Sequence, residues 1–459
     1  MKIIEGMRRP TEDQDSLRKL SRQGRALAIQ DRTFNEIVDE VNRVCGVHTR
    51  GTRGYIESKL LQSKVISVER LDCTASCLGD LGKVFRSING TCNNCENPIW
   101  GASTSTILRL LDAEYEDQKG LPRGWAQNLP GNPPYDSSLH LPSARLVSKA
   151  LTNSNNALNE NLTLMHFQWG QFIDHDLILT LINPESAGGE VSCEEQCSNV
   201  HPCFPILVDV NDPITNMSDG NLRSCLAFTR SAGIRFSVTD AYAYSNQINE
   251  VTAYMDASTV YGSSGFLGLL LQDEEGLLRT GPPCEGRDEG PLLPDCPPTS
   301  SNHFCTCDLE SCPEKFVAGD SRVNEQPMLT AMHTLWVREH NRLARRLGEV
   351  NPCWDAERVF QEARKVVIAQ HQHITYRMYL PILLGAAGFQ HYIGFSSSYR
   401  EHVQTGVFNE FSTAAFRFGH SQIPSRVPVL DQDYRVVQEE ILHSTFFRYV
   451  LVTIPLLPW

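Results

Sequence analysis

The chain has no uninterrupted apolar run close to the roughly 20 residues that a membrane-crossing helix requires, so nothing in it reads as a helical span. It also lacks a basic block. Lys+Arg 41 against Asp+Glu 54 gives a formal net charge of -13, which argues against nucleic acid or anionic membrane as the main partner. The opening MKIIEGMRRPTEDQD carries no apolar stretch of the kind a secretory signal peptide needs. Cys92-x2-Cys95 and Cys305-x-Cys307-x4-Cys312 have no second CxxC or HxxxH at ribbon spacing, which disfavours a zinc site.

Cysteine itself is abundant, with 15 residues, and the cluster Cys193, Cys197, Cys203 and Cys225 points to disulfides made in an oxidising compartment. An odd count leaves at least one thiol unpaired or intermolecular, which admits a disulfide-linked dimer. Sequons at Asn89, Asn161 and Asn216 agree with a secreted or secretory-granule protein. The expectation is therefore a chain that begins downstream of its true start. At 459 residues and 41% hydrophobic content the chain can bury a sizeable core, as one large helical domain or as two or three average ones.

Chemistry concentrates in MHFQWGQFIDHDLILT, residues 165 to 180. Leu164, Phe167, Trp169, Phe172, Ile173, Leu177 and Ile178 wrap nearly all round a 3.6-residue period, which predicts a buried helix. Gln168, Gln171, Asp174 and His175 fall on one stripe of it, and an unpaired polar group there would cost several kcal/mol. Such a stripe lines a cavity. Asp176 lies about 200° round from Asp174 and must find a different partner.

The string QWGQFIDHD resembles the distal-helix signature of the animal heme peroxidases, and the similarity runs from roughly Cys77 to Phe447 with the family's elements in order. The resemblance implies a mainly α fold with many loops and little sheet, heme b lying between a distal and a proximal helix. It implies a propeptide-like region at 1–75, a catalytic domain at 76–447 that is incomplete at its C-terminal end, and a divergent apolar tail at 448–459. Within the first region, LRKLSRQGRALAIQDRTFNEIVDEVNRVC reads as amphipathic helix, and HTRGTRG at 48–54 as a processing loop or, more simply, a solvated one.

The same resemblance assigns roles. His175 is the acid/base toward hydrogen peroxide, Arg322 the charged donor for the departing oxygen, and Gln171 the group that holds the distal water or halide. His420, in FRFGH, is the proximal iron ligand, and Arg417 pairs with a heme propionate. Asp174 and Glu325 form ester bonds to the heme. Family members with strong chlorinating activity carry a methionine where this chain has Gln326, so the sulfonium link is absent. That favours bromide, iodide or thiocyanate over chloride, with phenols as further donors.

In TAYMDAS, Thr252, Asp256 and Ser258 place hard oxygens at alternating positions, and the Tyr254 carbonyl adds another. Calcium wants six to eight such ligands in a flexible loop. The resemblance supplies Asp176 as the carboxylate from elsewhere. It also implies a Cys77–Cys92 bridge and the nested pairs Cys193–Cys203 and Cys197–Cys225. Lys315 stands where a cysteine usually precedes FxAGD, so a local bridge is expected to move to Cys305 or Cys307 with Cys312.

Residues 121–160 are rich in Pro, Gly and Asn and are expected to be irregular, as are 276–314. A long helix is expected from Pro327, with His333 and His340 as satisfied core histidines, and another over 353–385. Two competing readings remain. A metal hydrolase would use Asp174, His175 and Asp176, although residues diverging by about 100° do not easily converge on one ion. A truncated, weak or inactive heme-peroxidase-like secreted protein is the other. Only 39 residues follow His420, too few to reach the asparagine that receives the proximal imidazole's second N–H in the family. The expectation is that this chain binds heme poorly and that a longer form is the working enzyme.

Overall fold

The computed structural model describes residues 85–113, 143–151, 161–183, 203–208, 225–234, 246–281, 290–294, 316–395, 398–431 and 433–446, with positions 115, 159, 193 and 212. The expectations for 1–75, the 448–459 tail, Cys77, Cys197, Cys305, Cys307, Cys312 and the Asn216 sequon lie outside the described residues. In chain order come α1 (Ala144–Leu151), α2 (Leu164–Leu177), the two-residue strands β1 (Ile206–Leu207), β2 (Cys225–Leu226), β3 (Gly233–Ile234) and β4 (Asn246–Gln247), then α3 (Ser258–Tyr261) and α4 (Gly265–Leu271). A 3₁₀ turn at Ser321–Asn324 leads into α5 (Pro327–Val350) and α6 (Ala356–Ile374), followed by a π turn at Thr375–Tyr379 and α7 (Leu380–Tyr392). The described chain ends in α8 (Asn409–Thr413), a 3₁₀ helix at Ala415–Gln422, β5 (Arg426–Leu430), β6 (Val436–Ile441) and α9 (Leu442–Thr445). The sheets among the described residues are three antiparallel pairs, so the fold is helical as expected.

Three helices make the core. α5 starts where the sequence places it: Gln326 caps it by accepting the Met328 N–H, and Pro327 occupies its first turn, where its missing N–H costs nothing. Its Leu329, Met332, Trp336 and Val337 pack with Trp169, Phe172 and Ile173 of α2 and Phe360, Val367 and Ile368 of α6. Each such side chain contributes about 1.5–3 kcal/mol by leaving water. His340 is a satisfied core histidine, its Nδ1 2.9 Å from the Tyr261 hydroxyl. His333 is as deeply buried and packs edge-on against Phe172, with the Thr259 backbone beside its ring.

Two expectations need correction. The 121–160 stretch is not wholly irregular: ARLVSKAL, free of Gly, Pro and Asn, forms α1, and Arg145 and Lys149 on it hold the buried Asp212 at 3.0 and 3.2 Å. The helix expected over 353–385 is broken by the π turn and by Gly385, whose φ of 71° leaves the helical region. Beyond the break the chain continues helical to Tyr392.

The Cys193–Cys203 bridge is present, and Cys92, Cys95 and Cys225 are disulfide-bonded as well. Bonded sulfurs cannot serve as zinc thiolates, so the Cys92-x2-Cys95 zinc reading falls. Cys353, exposed before α6, is a free thiol.

Candidate active site

α2 carries its polar stripe into the core with its C-terminal end tied in place. Asn249 accepts the Leu179 N–H and donates to the Leu177 carbonyl, at 2.9 Å each. Arg322 donates to the carbonyls of His175 and Ile178, both at 3.0 Å, neutralising the negative end of the helix. With the helix so held, Gln168, Asp174, His175 and Asp176 are all buried.

The stripe and the far segment meet at one cavity. Gln171, Asp174 and His175 of α2, Glu325 and Gln326 before α5, and Arg417 and His420 of the 415–422 3₁₀ helix all line it. Phe167, Phe416 and Phe418 supply apolar wall. The segment holding His420 is thus a 3₁₀ helix of eight residues rather than an α-helix, and it buries no residue of its own. Arg417 Nη1 donates to Asp174 Oδ2 at 2.9 Å, an ion pair that links the two walls directly.

His175 is fully enclosed, and burial followed by the Arg322 charge drives its imidazole well below its usual pKa, so the ring is neutral. Arg322 departs from its expected pose. Its Nε and Nη2 grip Asp320 at 2.8 and 2.7 Å, its remaining donation goes to helix carbonyls, and it is not among the cavity-lining side chains. Asp320, opposed by burial but held by Arg322, stays ionised well below the carboxylate range. Partial burial, with Arg417 nearby, lowers the His420 imidazole.

On the opposite face of α2 the 252–258 loop assembles. Asp176 Oδ1 accepts from the Ser258 N–H at 2.6 Å and the Ser258 hydroxyl at 2.7 Å, while Oδ2 accepts from the Ala257 N–H at 3.2 Å. Ala257 pays for that geometry with a left-handed φ of 58°. Thr252 donates to Asp256 Oδ1 at 2.8 Å, and Asp256 Oδ2 is buried without a partner. The Tyr254 carbonyl accepts the Asp256 N–H. Burial and repulsion from Asp256 push Asp176 up to about 8. Gly319 seals this loop to the Arg322 segment: a Cβ there would lie 2.4 Å from the Ser258 carbonyl oxygen.

Among the described residues no three His, Cys, Asp or Glu side chains converge on a metal-sized site. Asp174 and Asp176 go to opposite faces, so the hydrolase reading of Asp174, His175 and Asp176 loses its site. A cation at the loop would be held by two carboxylates with hydroxyl and carbonyl oxygens. The orphaned Asp256 oxygen and this all-oxygen donor set fit calcium. Heme fits the cavity on like grounds: Asp174 Oδ1 is buried and unpartnered, and the walls pair apolar rings with two imidazoles, two carboxylates and a guanidinium.

Residues missed by sequence reasoning are Asp320 and Asn249 as supports; Gln168, placed on the cavity stripe by the sequence, is buried but does not line the cavity, whereas Gln326, read there only for the absent sulfonium link, does. For Asp320 the signal was available, since a carboxylate two residues before an arginine is well placed to clamp it.

The family description "Animal haem peroxidase" matches residues 85–453. Peroxidasin of Drosophila melanogaster is 38% identical over 393 residues, covering 83% of this chain and 25% of its own length. Human thyroid peroxidase is 38% identical over 400 residues (82% and 41%), and mouse myeloperoxidase 40% over 368 (76% and 48%). The chain thus spans between a quarter and a half of the length of these relatives. Among solved structures, peroxidase A from Dictyostelium discoideum superposes with a TM-score of 0.61 at 27% identity, covering 79% of this chain and 65% of that one. A fatty acid alpha-dioxygenase from Oryza sativa reaches 0.52 at 15% identity (95% and 66%), a likeness of fold alone. On the extent of the family match and the identity to these relatives, the chain belongs to the animal heme peroxidase family.

Proposed function

We propose that this chain is the catalytic part of a heme-dependent peroxidase that reduces hydrogen peroxide and oxidises small anionic or phenolic donors. The observation that carries the reading is the meeting of Gln171, Asp174 and His175 with Glu325, Arg417 and His420 around one cavity. Heme, when bound, supplies the redox-active iron. His420 would hold that iron from one side, Asp174 and Glu325 would attach the porphyrin as esters, and Arg417 would turn from Asp174 to a propionate.

The chain's own part is proton handling. A neutral His175 takes the proton from one peroxide oxygen and returns it to the oxygen that leaves as water. Arg322, clamped by Asp320, fixes the end of α2 and keeps positive charge behind the imidazole, so His175 releases the proton readily. Gln171 holds the oxygen or anion in place. Calcium at Asp176, Thr252, Tyr254, Asp256 and Ser258 would tie the other face of the same helical turn. The disulfides support a secreted or secretory-granule location. Among the described cysteines, exposed Cys353 is the free thiol through which a disulfide-linked dimer would form.

The test is to load the protein with heme and measure the Soret band, peroxide turnover with iodide or thiocyanate, and heme release by acid-acetone before and after peroxide treatment. One heme per chain, turnover, and heme that resists extraction after peroxide support the reading, against the expectation from the sequence that this chain binds heme poorly. A folded protein that takes up no heme would overturn the reading and leave the non-catalytic alternative.

A further inference from the structure

Gln326 lies at the start of α5, buried, and its side-chain amide has no rotational choice. Pro327 contributes no N–H, so the first backbone donor inside the helix is that of Met328, and it donates to Gln326 Oε1 at 2.9 Å. A backbone N–H can only donate, so the oxygen of Gln326 must face the helix and its –NH₂ must face away. That –NH₂ then donates to Gln168 Oε1 at 2.9 Å and to Gln171 Oε1 at 3.0 Å. Gln168 Nε2 adds a longer contact to the same Gln171 oxygen at 3.4 Å.

The polarity is passed on. With its oxygen taken by two donors, Gln171 has its own –NH₂ left over, and Gln171 and Gln326 both line the cavity beside His175. We infer that Gln326 is a positioning residue that transmits the polarity of the α5 N-terminus through its amide to Gln171. The outcome is a cavity facing a fixed N–H donor, which selects anions and peroxide oxygen over hydrogen-bond donors. This rests on the peroxidase reading and deepens it: the residue in place of the absent methionine acts as a specificity determinant for the donor.

The inference predicts an inversion. In Gln326→Glu one carboxylate oxygen can still accept from Met328, but the other presents an acceptor to Gln171. Gln171 then turns its –NH₂ toward Glu and its carbonyl toward the cavity. In Gln326→Met the side chain offers no donor, and Gln171 samples both orientations.

Equilibrium titration of thiocyanate into the heme-loaded resting protein, followed by the Soret shift, reads this without turnover. If only a minor share of Gln171 keeps its donor outward, Gln326→Glu should weaken thiocyanate by about tenfold or more, and Gln326→Met by about twofold. A carboxylate could also repel the anion directly, so Gln326→Glu, Gln171→Leu and the double variant are compared with the wild type. Loss of the Gln326→Glu effect when Gln171 is Leu supports the relay. A Gln326→Glu effect that persists undiminished there, or no effect in either background, overturns it while leaving the peroxidase reading intact. A wild-type protein with a normal Soret band and no thiocyanate response overturns both the relay and the anionic-donor reading.

Discussion

His175 shows how much a single side chain depends on what lies behind it. Burial and the Arg322 charge both favour the neutral ring, so the base form persists as pH falls through the range where a free imidazole would be protonated. Replacing it with Ala should slow the reaction with peroxide on the order of 10²-fold or more, read by stopped-flow on the heme-loaded protein. The wild-type rate should stay flat from pH 8 down past about 6.5, because the proton acceptor is not lost there. A rate that drops with a midpoint at the ordinary imidazole value would contradict that placement. That Asp176 parts from Asp174 and His175 was legible in the sequence because about 200° of helix separates it from Asp174, while the roles expected of the three came from the family resemblance. The poses of Arg322 and Gln326 were not, since a long side chain's direction depends on partners brought from elsewhere in the chain: two helix carbonyls for one, two glutamine oxygens for the other.

At the scale of elements, α5 and α6 were predictable where period and capping agree, as at Pro327 and at Asp355, which accepts the Arg358 N–H. The π turn after Ile374 left no pattern to read. It forms where Thr375 accepts from the Trp169 indole and Tyr379 packs against Gly170, contacts from a helix about two hundred residues upstream. The same two helices bury His333, His340 and His371, whose pKa values burial lowers to about 4, 4 and 3. In the unfolded chain these rings take up protons below about 6.5, whereas the folded core refuses them until near pH 4. Stability therefore falls as pH drops through that window and is fully present above it. Thermal melts stepped from pH 7 to pH 4.5 should show a falling Tm, and His371→Phe should reduce the slope. A slope unchanged by that substitution would remove His371 from the account. The 252–258 loop, proposed to hold calcium, belongs to this scale too. Chelation should disturb α2 through Asp176, and a Soret band indifferent to verified removal of the metal would disconnect the two.

Across the whole molecule the two walls of the cavity are built unequally. The His175 wall rests on the main core, in which Trp169, Phe172, Leu329, Trp336 and Phe360 are all nearly inaccessible. The His420 wall does not. Its 3₁₀ helix buries nothing, β6 is exposed along almost its whole length, and Val436 and Val437 stand in solvent. Local opening costs little where few apolar contacts are broken. Hydrogen exchange should therefore be faster by orders of magnitude for amides of 409–441 than for α2, α5 and α6 in the heme-free protein. Heme joined to His420 on one side and to Asp174 and Glu325 on the other would couple the walls, so loading should slow exchange in 409–441 far more than in α5. Equal protection of the two walls before loading would mean the exposed segment is held by something other than its own packing. Unequal protection that heme leaves unchanged would mean that His420 does not carry the group.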